Sequence, residues 1–77
     1  MVITVKLFGH LRDYLPEKTK PCRAETADGS TVGDVLDKFG VPRDKPRVIL
    51  VNSIRAQLDH VLEDGDVVAA FQVLAGG

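Results

Sequence analysis

Val67-Val68-Ala69-Ala70-Phe71-Gln72-Val73-Leu74-Ala75-Gly76-Gly77 is the stretch on which the reading of this chain turns. Its first seven residues are short-range β formers, and period two puts Val68 and Ala70 on a core face with Phe71 on the opposite face. The segment then runs straight into Leu74, Ala75, Gly76 and Gly77. Helices and strands rarely finish on two glycines, because glycine has the largest backbone entropy to lose on ordering. The ending is therefore expected to be a side-chain-poor, flexible string with a carboxylate at its tip, reaching about 13 Å when extended. Lacking Cβ atoms, Gly76 and Gly77 fit a channel too narrow for any other residue. A frayed terminus would read the same way, so the rest of the chain has to decide.

The strand that best matches this last one is the first. Val2 to Phe8 alternates, with Ile3, Val5 and Leu7 on one side and Thr4, Lys6 and Phe8 on the other. Gly9 breaks it, and Gly9 to Leu15 reads as a short helical turn stopped by Pro16. Cys22 to Glu25 suits a second strand, an edge strand given Pro21. Thr31 with Asp34 is a variant capping box, and Val32, Val35, Leu36 and Phe39 make one apolar helical face closed by Gly40. Val48 to Val51 is a continuous apolar run, expected to be a central strand covered on both faces. Asn52-Ser53 turns the chain into a brief strand over Ile54 to Gln57, and Glu63 to Asp66 is a strong turn signal. One helix is enough to cover one face of a mixed sheet of four or five strands, with the first and last strands side by side at its centre. That arrangement is an α+β fold of the β-grasp, ubiquitin-like kind, with residues 1–73 as the domain and 74–77 as its tail.

The bulk composition narrows the function classes. The chain has 77 residues, 44% of them hydrophobic, and a formal net charge of −1. That is one globular domain near the lower size for an unaided core. Acidic and basic residues are interspersed, with no basic block interleaved with aromatics, so nucleic acid is not an expected partner. No apolar run approaches the roughly 18–20 residues of a membrane span. Met1 leads directly into a strand without the charged and apolar regions of a secretory signal, and Cys22 has no second cysteine to pair with. Both features point to the cytoplasm.

At this level the residues resemble the ubiquitin-like sulfur carriers of the MoaD/ThiS family. The resemblance covers essentially the whole chain. It is carried by Phe8-Gly9-x-Leu11-Arg12, Gly29-Ser30-Thr31-Val32 with Leu36, Val51-Asn52, Leu62-x-Asp64-Gly65-Asp66 and the terminal Ala75-Gly76-Gly77. The Phe8 to Leu15 insertion and Leu58-Asp59-His60 resemble the small subunit of molybdopterin synthase. That subunit usually has a Pro-Pro pair where this chain has Gln72-Val73, and the tail FQVLAGG looks like that of the thiamine-pathway carrier.

The resemblance implies a cosubstrate rather than an enzyme, with no cofactor of its own. An ATP-dependent activating enzyme of the ubiquitin-activating type would join the Gly77 carboxylate to AMP, and a sulfur donor would convert it to a thiocarboxylate. Gly77 is then the reacting residue, with Leu74, Ala75 and Gly76 threading the partner's tunnel. The acceptor would be a molybdopterin synthase large subunit or a thiazole synthase, with the molybdopterin or tungsten cofactor favoured over thiamine. The alternative is a protein modifier that forms isopeptide bonds through Gly77, since the same ending serves both chemistries.

The remaining residues fit that division of labour. No phosphate-cradling glycine loop and no metal-ligand cluster is present in the sequence. Phe8 and Phe71 are the candidate docking residues, an exposed apolar anchor beside the tail. Cys22 could relay sulfur, although an unpaired strand cysteine is more often a small buried hydrophobe. His60 reads as a solvated turn residue, and Arg12, Arg43, Lys45 and Arg47 as a mild basic edge.

Overall fold

Two strands from opposite ends of the chain lie side by side at the middle of one sheet. The computed structural model describes residues 1–72. In chain order the strands are β1 (Val2–Leu7), β2 (Cys22–Glu25), β3 (Val48–Val51), β4 (Ile54–Arg55) and β5 (Val67–Phe71). A 3₁₀ helix over Gly9–Tyr14 follows β1, and α1 (Val32–Lys38) follows β2. The five strands are ordered β2-β1-β5-β3-β4. The central pair β1 and β5 is parallel, with Val5 opposite Val68 and Leu7 opposite Ala70, and every other pairing is antiparallel.

Alternation along the strands builds the core. Ile3, Val5 and Leu7 of β1 and Val68 and Ala70 of β5 are buried, and they meet Val32, Val35 and Leu36 of α1 in a single apolar cluster. Leu11 and Leu15 close it from the 3₁₀ segment. At the start of α1, the Thr31 Oγ1 accepts from the Asp34 amide at 3.2 Å while the Asp34 carboxylate accepts from the Thr31 amide at 2.9 Å. The next two amides, of Val32 and Gly33, donate to the carbonyls of His60 and Leu58 at 3.0 and 2.9 Å. The amides left over at the helix start are thus satisfied by the 58–60 turn. At its end, Gly40 takes φ +76°, and the Gly40 and Val41 amides donate to Asp37 and Leu36. That is a Schellman closure, which needs a residue at home in the left-handed region.

The apolar run Val48–Val51 departs from expectation. Only Ile49 and Val51 are buried, while Val48 and Leu50 are half-buried on the opposite face. β3 is next to the edge strand β4 rather than central. Among the described residues one helix covers one face of the sheet, so the outer face of β3 has no layer above it. β4 is also shorter than Ile54 to Gln57, stopping at Arg55. The expected last strand reached Val73; its observed end is Phe71, and Val73 lies outside the described residues.

Candidate functional site

The outer face is where the candidate docking residues stand. β1 ends at Leu7, and Phe8 continues extended at φ −121°, ψ 156° before Gly9 swings the chain away at φ +62°. A side chain at Gly9 would be strained there, so this glycine lets the chain leave β1 without dragging Phe8 off the sheet. The Phe8 amide donates to the Ala70 carbonyl at 3.1 Å, and the Phe71 carbonyl accepts from the Arg47 amide at 2.9 Å. One step beyond the Leu7–Ala70 pair, the parallel register brings Phe8 level with Phe71. Their rings stack with centroids 4.5 Å apart and planes 5° from parallel.

Phe8 is 40% exposed. Phe71 is half-buried and faces away from Val68 and Ala70, as period two requires. Its partial burial reflects the Phe8 ring lying over it, so the two aromatics form one apolar ledge. The ledge walls a shallow groove with Lys6, Leu50, Val67 and Ala69, bounded at the far end by Asn52 and Ser53. Sequence reasoning placed both phenylalanines on the outer face. It missed the other lining residues, because which strand neighbours β5 on that side is a matter of topology. The only sequence signal was the half of the β3 run that has no core face to fill.

The tail residues Leu74, Ala75, Gly76 and Gly77 lie outside the described residues. Phe71 is the last strand residue before them, so the aromatic ledge sits where the chain departs from the sheet. Among the described residues no group of His, Cys, Asp or Glu is arranged to hold a metal ion. No helix of the described residues is long and apolar enough to cross a membrane. Cys22 is half-buried in β2, opposite Val5, with its Sγ 3.5 Å from the Arg23 carbonyl. His60 is exposed, and its carbonyl rather than its ring is used, by α1. The basic residues serve separate elements. Arg43 pairs with Asp37 at 2.9 Å, and Arg12 Nε bonds the Gly9 carbonyl at 3.3 Å.

Electrostatic tuning is found at the start of α1 and in the loop that follows it. The Thr31 backbone amide, and then its side chain, hold the Asp34 carboxyl below its ordinary range, with added attraction from Arg43. Asp37 raises the Arg43 guanidinium further above its already high value. Both are fold-stabilising contacts far from the tail in sequence, and neither is a reactive pair.

Residues 1–75 match the family model described as Mut7-C ubiquitin. The chain belongs to the Mut7-C ubiquitin family. Comparison with curated proteins gives no match. Several solved structures share the fold. Small archaeal modifier protein 1 of Haloferax volcanii is 24% identical over 95% of this chain and 98% of its own, with a TM-score of 0.75. The putative molybdopterin converting factor subunit 1 of Pyrococcus furiosus is 23% identical over 96% of this chain and 99% of its own, again with a TM-score of 0.75. A chain from the Helicobacter pylori complex of molybdopterin-converting factor subunits 1 and 2 is 19% identical, with full coverage of both chains and a TM-score of 0.63. At these identities the likeness establishes a shared fold. The Mut7-C ubiquitin chain is thus a ubiquitin-like β-grasp protein, and the resemblance seen in its sequence to the small ubiquitin-like carriers is borne out.

Proposed function

We propose that this protein is a cytoplasmic sulfur carrier that docks through Phe8 and Phe71 and reacts through Gly77. The observation that carries this reading is the stacked aromatic ledge placed on the open sheet face at the point where the chain leaves for Ala75-Gly76-Gly77. An apolar ledge gains burial when a partner closes over it, which holds the following residues at that partner's active site. The fold shared with a molybdopterin converting factor subunit supports the same reading.

With Gly77 as the terminal residue, its carboxylate attacks the α-phosphorus of ATP on an activating enzyme and displaces pyrophosphate. The acyl-adenylate has AMP as a good leaving group. Hydrosulfide attacks the carbonyl carbon, AMP departs, and a thiocarboxylate remains. This species then passes its sulfur to a precursor held by a synthase of the molybdopterin large-subunit type, or by a thiazole synthase, with the former favoured. The acids, bases and metal ions belong to the partners, so the carrier is a cosubstrate and not an enzyme. A second reading, a protein modifier linked through Gly77 to lysines, is supported by the fold shared with a small archaeal modifier protein.

The deciding experiment is intact-mass analysis of the chain isolated from its own cells, with fragmentation of the terminal peptide. Exchange of one oxygen for one sulfur at Gly77 is the expected result. Removing Gly77 should abolish pyrophosphate exchange with the activating enzyme without altering the fold, and Cys22→Ser should leave sulfur transfer intact. High-mass conjugates with an unmodified free pool would establish the modifier instead. Sulfur transfer lost in a folded Cys22→Ser variant would move the reaction to that thiol.

A further inference from the structure

We propose that the outer edge of β2 pairs with β2 of a second copy of this chain, antiparallel about a two-fold axis at Ala24, forming a weak symmetric dimer. The argument starts from the main-chain groups of β1. The Val2 amide donates to the Asp64 carboxylate at 2.7 Å, the Val2 carbonyl accepts from Gly65 at 2.9 Å, and the Thr4 amide donates to the Asp66 carbonyl at 3.0 Å. All of these point toward the β5 side. The residues opposite them on β2 are Glu25 and Arg23. The Thr26 amide bonds the Met1 carbonyl at 2.9 Å, which fixes the same phase. The β1–β2 ladder therefore uses Ala24 and Cys22, and the amides and carbonyls of Arg23 and Glu25 project from the sheet edge. Among the described residues the Arg23 carbonyl takes only the 3.5 Å contact from Cys22 Sγ.

An edge of this kind is a template for another strand, and exposed charges usually protect it. Here the charges alternate in step with the free hydrogen-bonding groups. With Ala24 opposite Ala24 of the second copy, Arg23 falls opposite Glu25 and Glu25 opposite Arg23. Both are pairs of the hydrogen-bonded kind, each exchanging two N–H···O bonds. A shift of two positions sets Arg23 against Arg23 or Glu25 against Glu25, like charges directly opposed. A shift of one puts the hydrogen-bonding groups out of phase. One register alone satisfies both the ladder and the charges, and it is the two-fold one.

Arg23 and Glu25 are exposed and make no ion pair among the described residues, so both are available. The same count brings Lys20 of one copy toward Asp28 of the other. A foreign peptide could add to this edge through its backbone, but the palindromic charge order selects a second copy. The axis lies beside Ile3, at the opposite end of β1 from Phe8, so the dimer leaves the aromatic ledge open.

Sedimentation velocity and concentration-dependent amide shifts on the full chain test this. The wild type should associate with a dissociation constant on the order of 0.1 mM, with the shifts confined to residues 22–26. Arg23→Glu and Glu25→Arg should each weaken self-association by at least about tenfold. Mixed together, these two variants regain every Arg–Glu pair and should form a heterodimer. The matched control is a mixture of Lys38→Glu with Glu63→Lys, which carries the same net charges at exposed positions away from β2. The proposal is overturned if mixing the two β2 variants strengthens association over the separate variants by no more than mixing does for the control pair. It is equally overturned by a wild type still monomeric at about 1 mM, or by shifts that map to Phe8 and Phe71.

Discussion

The Phe8 ring lies flat against the Phe71 ring, with centroids 4.5 Å apart and planes at 5°, on the sheet face away from α1. Neither ring contributes to the core cluster. The pair is held from behind by the parallel ladder and from the side by the Phe8–Ala70 hydrogen bond. It is therefore preformed, so a partner that covers it does not have to order it first.

Replacing either aromatic by alanine should affect stability mildly and docking strongly. The stack contributes about 0.5–1.5 kcal/mol beyond area burial. Phe8→Ala and Phe71→Ala should each lower Tm by a few degrees, and the double variant should fall by less than their sum. Binding to the activating enzyme, measured by titration calorimetry, should weaken more than about tenfold for each. A variant that melts far lower and binds normally would place its ring in the core rather than at an interface.

The capping box gives a prediction with a pH signature. Thr31→Ala should cost about 1 kcal/mol, as N-cap replacements commonly do. Asp34→Asn should also destabilise at neutral pH. The folded-state pKa of Asp34 is depressed, so its contribution is complete above the ordinary carboxylate range and is lost as pH falls through the folded value. Urea unfolding at a series of pH values should show wild type and Asp34→Asn converging in acid. A gap that stays constant down to low pH would mean that the charge of the Asp34 carboxylate is not what separates the two proteins.

The sequence made the local features legible and left the long-range ones dark. Period two is imposed by one buried face, so Ile3, Val5, Leu7, Val68 and Ala70 could be read directly. The Thr31–Asp34 box and the Gly40 closure are also local chemistry. By contrast, Val48-Ile49-Leu50-Val51 has no polar residue to betray its open side, so a half-buried strand reads as a fully covered one. The Phe8–Phe71 stack depends on the parallel register of strands from opposite ends of the chain, which no short-range pattern encodes. The candidate reacting residue, Gly77, was legible only as composition and lies outside the described residues.

The β3–β4 turn offers a stabilising substitution. Asn52 and Ser53 both have positive φ, 51° and 70°. Serine is strained in that region and glycine is not, so Ser53→Gly should stabilise by roughly 0.5–1 kcal/mol. Asn52 is tolerated for its side chain, which donates to Asp66 Oδ1 at 2.8 Å and accepts from the Val67 amide at 2.9 Å. Asn52→Ala removes both bonds and should cost about 1–2 kcal/mol. Thermal melts of the two variants should therefore move in opposite directions, and a Ser53→Gly variant that melts lower than wild type would refute the strain argument.

Gly33 is a glycine in the first turn of α1 whose reason lies ten positions further along the chain. A Cβ built there would stand 3.1 Å from the Arg43 guanidinium carbon, tighter than ordinary contact. The guanidinium lies over the first turn of α1 while its fork reaches Asp37, at 2.9 and 3.4 Å. Alanine should gain up to about 1 kcal/mol over glycine in a helix interior. Against this, the Arg43 head must move, and an exposed ion pair of this sort contributes little. Gly33→Ala in the wild-type background should therefore change stability little. In an Arg43→Ala background the guanidinium atoms nearest the new methyl group are gone, and the same substitution should stabilise by about 0.5–1 kcal/mol. The measurement is a double-mutant cycle by denaturant unfolding. Equal effects of Gly33→Ala in both backgrounds would show that Arg43 does not dictate the glycine.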